Sequence, residues 1–151
     1  MSEKRLRSRA ERHAEIQVNA AALGIDEAFI SKLVDRFYSR IRADDRIGPI
    51  FEAAIGEDWA PHLQTMKDFW ASVALNAGRY SGKPVPAHAL HRQIQPADFK
   101  VWLSLFEETL HEVAPTPGAV PYFMERAERI AQSLQLALFG LSGSGETRGR
   151  A

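Results

Sequence analysis

The sequence contains no cysteine. Disulfides, zinc fingers, thiolate-held cofactors and cysteine-ligated iron–sulfur clusters are therefore excluded together. It also lacks an excess of either charge, since Lys plus Arg and Asp plus Glu both number 19. No net field draws nucleic acid or anionic lipid to the whole surface, so neither is an expected partner. No stretch approaches the roughly 20 apolar residues of a membrane span. The opening MSEKRLRSRAERHAEIQ is basic but has no apolar core, so it does not read as a signal peptide. A cytoplasmic protein is the expectation. Alternating strand patterns of useful length and internal repeats are missing too.

What is present suits one soluble domain. The chain has 151 residues, 45% of them hydrophobic and 25% charged, enough to build a single core under an ordinary surface. Apolar positions recur at helical spacing almost throughout. Residues 1–23 form a charged extension, helical over about 4–21. Gly24 closes it, and Asp26 is placed to cap the next helix. Ile30, Leu33, Val34, Phe37, Tyr38 and Ile41 then make one face of an amphipathic helix, which ends at Arg42-Ala43-Asp44-Asp45. The segment Ile47-Gly48-Pro49-Ile50-Phe51 reads as a turn or short irregular piece.

A second long helix is expected from about Glu57 to Ala77, with Pro61 tolerated in its first turn. Its stripe is Trp59, His62, Leu63, Met66, Phe69, Trp70 and Val73. A Gly/Pro-rich stretch with His88 and His91 follows, holding at most two helical turns. Pro96 and Asp98 open a third helix with Phe99, Trp102, Leu103, Phe106 and Leu110 on one face. Pro115, Pro117 and Gly118 break the chain, and a last helix covers about Pro121 to Phe139 with Ala127, Ile130, Ala131, Leu134 and Leu138 inward. Residues 140–151, small and polar, read as a disordered tail. The fold class is all-α.

The five histidines are the candidates for chemistry. His13 stands among charges and reads as a solvated side chain. His111 lies in the last turn of its helix, where it complements the helix dipole. Only one Glu-x-x-His occurs, Glu108 to His111, so a carboxylate-bridged di-iron bundle is rejected. No His-Glu-x-x-His is present, which leaves a zincin site unsupported. His62 lies inside an apolar stripe, and Tyr38 shares its helix face with Phe37 and Ile41; an inward ring with a polar atom needs a partner or a cavity. His88 and His91 are three apart. They share a metal, although zinc would need two further ligands, or one projects alone into a pocket, as a lone imidazole does when it ligates haem iron, or they simply stand at the surface. Periodicity alone stops at an all-helical domain with histidines on two inward surfaces.

The runs Phe37-Tyr38, Gly48-Pro49-Ile50-Phe51, Trp59-x-x-His62, Phe69-Trp70, Gly78-x-Tyr80-x-Gly82-x-Pro84, His88 and Phe99-x-x-Trp102-Leu103-x-Leu105-Phe106 stand in one order with close spacing. Together they resemble the truncated haemoglobins, specifically the third group of that family, over roughly residues 24–139. The last helix, with Arg126-Ala127 and Ile130-Ala131-x-Ser133-Leu134, fits the likeness. The resemblance implies a two-over-two helical sandwich around haem b. It pairs the helix of Tyr38 with that of His62, and the helix of Trp102 with the last one. It assigns His88 as the proximal iron ligand and Phe51 as the haem-packing phenylalanine. Tyr38, His62 and Trp102 become the polar residues of the ligand side, with Met66 and Phe99 on the cofactor. A phenol, an imidazole and an indole N–H can each donate to a ligand oxygen carrying partial negative charge.

Two features depart from the family pattern: the stretch Ala89-Leu90-His91-Arg92-Gln93 after His88, which leaves His91 as a competing ligand, and the extension over the first 22 residues. The implied task is binding of dioxygen or another diatomic ligand for redox chemistry on oxygen, nitric oxide or peroxide rather than bulk transport. An electron donor that this chain does not encode and a monomer or weak dimer are expected. The rivals are a cofactor-free helical interaction module and a simple histidine-ligated metal protein.

Overall fold

The computed structural model describes residues 8–75 and 94–140. These residues form six α-helices: α1 (Arg9–Ala22), α2 (Glu27–Ala43), α3 (Gly48–Ile55), α4 (Trp59–Leu75), α5 (Pro96–Val113) and α6 (Ala119–Phe139). No strand occurs among the described residues, in line with the all-α expectation.

Local chemistry sets most boundaries. Ser8 and Glu11 close a reciprocal capping box at the start of α1, the Glu11 N–H donating to Ser8 Oγ (3.0 Å) and the Ser8 N–H to Glu11 Oε1 (2.7 Å). Gly24 turns the chain with φ +80°, a region that side chains avoid. Asp26 then caps α2 by accepting from the Phe29 N–H at 2.8 Å. Beyond α2, Asp44 Oδ1 accepts from the N–H groups of Arg46 (2.8 Å) and Ile47 (2.9 Å) and folds the corner.

The corner leads into a difference from the sequence reading. Residues 48–55 are not irregular but form the eight-residue helix α3, with Pro49 in its first turn, where its missing N–H costs nothing. Gly48 allows this placement. A Cβ there would lie 2.9 Å from the carbonyl oxygens of both Ile41 and Arg42, so only glycine lets α3 start directly beneath the last turn of α2. The last helix also begins two residues earlier than expected, at Ala119.

Packing follows the expected pairing. α2 packs on α3, α4 and α5, α5 on α6, and α1 lies against α4. The inward stripe of α2 (Ile30, Leu33, Val34, Phe37, Tyr38 and Ile41) is buried. Phe37, Phe106 and Phe123 are the largest fully buried side chains, each stabilising the fold by about 1.5–3 kcal/mol. Phe106 stacks between Trp102 (5.9 Å, 3°) and Trp70 (5.1 Å, 20°), and Trp70 continues to Phe123 at 5.5 Å. The buried Thr109 hydroxyl is satisfied, accepting from Arg40 Nη1 at 3.0 Å and donating to the Leu105 carbonyl at 2.7 Å. α1 is exposed along most of its length, buries only Ala20, and reaches α4 through Gln17, whose Nε2 donates to the Leu75 carbonyl at 3.1 Å. No helix among the described residues is long and apolar enough to cross a membrane.

Candidate functional site

Every described helix except α1 contributes to one cleft of about 730 Å³, its open mouth included. α3 supplies Ile50 and Phe51, α4 supplies Met66, Phe69 and Trp70, and α5 supplies Phe99 and Trp102. Ile130 and Leu134 of α6 close the far side, with Ile47 and Ile94 from the connecting segments. Among the described residues, the lining side chains with oxygen or nitrogen atoms besides the indoles are Tyr38 of α2 and Asp98 of α5.

Tyr38 is buried, and its ring meets Phe51 at 6.1 Å, Phe37 at 5.2 Å and His62 at 5.2 Å, all edge-on. Burial pushes its phenol well above the ordinary tyrosine range, so the hydroxyl remains a neutral donor at any physiological pH. Trp102 is held by T-shaped contact with Phe37 at 5.6 Å and by its stack on Phe106.

Asp98 is the one buried carboxylate among the described residues. Arg46 donates to both of its oxygens, Nε to Oδ1 at 2.7 Å and Nη2 to Oδ2 at 3.0 Å, and the Gln95 N–H adds a third bond at 2.9 Å. The Arg46 hydrogen bonds hold the Asp98 carboxyl below the usual range, outweighing the upward push of its own burial. This bidentate pair ties the α2–α3 corner to the first turn of α5 at the cleft wall.

Of the residues singled out in the sequence, Tyr38, Phe51, Met66, Phe99 and Trp102 line this one cleft. His62 is not among its lining residues; it is half-buried, with Nε2 buried, and its ring packs edge-on against Tyr38 and against Trp59 (5.9 Å). His88 and His91 lie outside the described residues, as do the Gly78-to-Pro84 motif and the tail from residue 141. Among the described residues, no group of three or more His, Asp or Glu stands together to hold a metal ion. The Arg46–Asp98 pair escapes the sequence reading, which gives Asp98 only a helix-opening role. The spacing of Gln95 and Asp98 signals a cap, but nothing local points to a partner 52 residues away.

Comparison with known proteins agrees with this geometry. The family model described as bacterial-like globin matches residues 21–136. A group 3 truncated hemoglobin of Campylobacter jejuni is 34% identical over 122 residues, covering 79% of this chain and 95% of that protein. The crystal structure of a group III truncated hemoglobin from Campylobacter jejuni superposes with a TM-score of 0.73 at 34% identity, covering 81% of this chain and 96% of the other. With these helices, this cleft and this extent of match, the chain belongs to the bacterial-like globins, in the third group of the truncated haemoglobins.

Proposed function

We propose that the cleft holds haem b with His88 as the proximal ligand, and that Tyr38, His62 and Trp102 control a diatomic ligand on the opposite side. The observation that carries this reading is a neutral phenol and an indole facing one apolar cleft of globin architecture. The walls suit a flat, largely apolar macrocycle: Phe51, Phe69, Phe99 and Trp102 offer ring faces and edges, and Met66, Ile130 and Leu134 fill between them. When bound, the haem supplies an open coordination position for a small ligand and the electron exchange that chemistry on dioxygen, nitric oxide or peroxide requires.

The chain's own residues supply the rest. Tyr38 Oη and Trp102 Nε1 are donors for a ligand atom that gathers negative charge, and a low-dielectric wall strengthens such bonds. His62, packed edge-on against Tyr38, supports the phenol and provides an imidazole nitrogen for proton movement. Donors of this kind favour slow ligand release, which suits turnover more than transport. The electrons for turnover come from a separate donor protein or small reductant.

The ligand assignment is tested by two variants purified with haem supplied. His88→Ala is expected to lose haem or to need added imidazole to retain it, while His91→Ala keeps it. The opposite pattern would move the proximal role to His91.

A further inference from the structure

The indole of Trp59 is not a lining residue of the cleft, yet it sits at the junction of three helices in an arrangement that packing alone does not require. Its Nε1–H donates to Glu52 Oε1 at 3.2 Å. The other oxygen of the same carboxylate, Oε2, accepts from Arg42 Nε at 2.8 Å. Arg42 also lies over the indole, its Cζ 4.3 Å from the ring centroid. One carboxylate therefore joins two partners that touch each other, and the set closes on itself. Arg42 ends α2, Glu52 belongs to α3, and Trp59 opens α4.

Exposure separates the parts. The side chains of Arg42 and Glu52 are 47% and 44% exposed, whereas Trp59 is only 9% exposed. An ion pair so open to water adds little stability of its own. Its consequence lies in the ring it holds. The indole meets Tyr38 at 6.1 Å and 65° and His62 at 5.9 Å and 90°, while Tyr38 and His62 meet each other at 5.2 Å and 84°. Three mutually edge-on rings cannot turn independently, because rotating one drives it into the faces of the others. The N–H of Trp59 is also already taken, which separates it from Trp102 on the cleft wall.

We propose that Trp59 is a positioning residue for the ligand side: the bond its N–H donates to Glu52 fixes the indole, and the indole sets the orientation of Tyr38 and His62. This rests on the reading of Tyr38 as a ligand donor, and the test keeps the two apart. In the full-length haem-loaded protein, the infrared band of bound carbon monoxide reports the polarity next to the ligand. Wild-type protein is expected to give one dominant band. Glu52→Ala and Trp59→Phe should split or broaden it and speed oxygen release about fivefold, the factor expected for one misdirected hydrogen bond. Glu52→Gln still presents a carbonyl to the indole and should restore the single band, although its pair with Arg42 is lost.

A second readout needs no bound ligand. Hydrogen exchange at the Trp59 indole N–H, followed by NMR, should quicken in Glu52→Ala and stay slow in Glu52→Gln. An unchanged band and release rate in Glu52→Ala, or a Glu52→Gln protein that behaves like Glu52→Ala, would overturn the proposal. Tyr38→Phe serves as the reference. If it shifts the band and Glu52→Ala does not, only the role of Trp59 fails. If Tyr38→Phe leaves the band in place, the ligand-side reading falls and this inference with it.

Discussion

Two groups of rings lie side by side in this molecule and are built on different rules. Trp102, Phe106, Trp70 and Phe123 form a spine in which successive rings stack or tilt, with Phe106 and Phe123 fully buried. Tyr38, Trp59 and His62 form a cluster in which every pair meets at 65° or more and every ring carries a polar atom. The spine spans α4, α5 and α6, and the cluster spans α2 and α4. Stacked rings contribute area and dispersion and tolerate sliding. Edge-on rings that carry polar atoms aim them, and aim is lost by small rotations. On the proposed reading, stability and ligand control belong to separate ring sets, which Phe37 joins through edge contacts with Tyr38, Trp102 and Phe106.

The widest separation between the two sets should come from Phe106→Ala. Removing the central ring of the spine is expected to cost about 3–5 kcal/mol in chemical denaturation, because the surrounding rings cannot collapse into the space. The same chemical change at two tyrosines sharpens the contrast. Tyr38→Phe is expected to weaken retention of bound oxygen by about 1–3 kcal/mol, seen as faster release in stopped flow, with the unfolding midpoint nearly unmoved. Tyr122 packs edge-on against Phe123 of the spine and donates its buried hydroxyl to the Ala74 carbonyl at 2.7 Å. Tyr122→Phe should therefore do the reverse, costing about 1–2 kcal/mol of stability and leaving release rates alone. If both substitutions moved both readouts, the division between the ring sets would not hold.

The smallest expected effect lies at the cleft wall. Asp98 has a depressed pKa, so its pair with Arg46 contributes fully above the ordinary carboxylate value of about 4 and is lost as pH falls through the lower folded value. Because Arg46 is half-exposed, the contribution is small. Acid titrations of unfolding should show a shallower loss below that pH in Arg46→Gln than in the wild type. Parallel curves would remove the pair from the acid limb.

Much of this was legible in the residues before any coordinates. The stripe from Ile30 to Ile41 has the helical period, and every member is buried. Asp26 stands where an N-cap belongs and accepts the bond that a cap accepts. Tyr38, Phe51, Met66, Phe99 and Trp102 come from four helices and the resemblance alone unites them, yet all five line one cleft. What could not be read has a common cause. Gly48-Pro49 looks like a break because its purpose, a close approach of α3 to the carbonyls of Ile41 and Arg42, is a distance between helices. The Arg46–Asp98 pair and the Arg42–Glu52–Trp59 set likewise depend on which helix ends converge, and charged residues at helix ends have the same local signature whether or not a partner arrives. His62 shows the converse: an apolar stripe places it inward, but only the packing against Tyr38 and Trp59 distinguishes support of the cleft from lining it.

The central claim is that this cleft takes up haem through one histidine and leaves the other side open to a small ligand. Absorption spectra of the purified protein supplied with haem, in ferric, ferrous and ferrous–carbonyl forms, test it most directly. An intense Soret band that shifts when carbon monoxide is added to the ferrous protein is the expected result. A protein that takes up no haem, or whose Soret band ignores carbon monoxide, would contradict it.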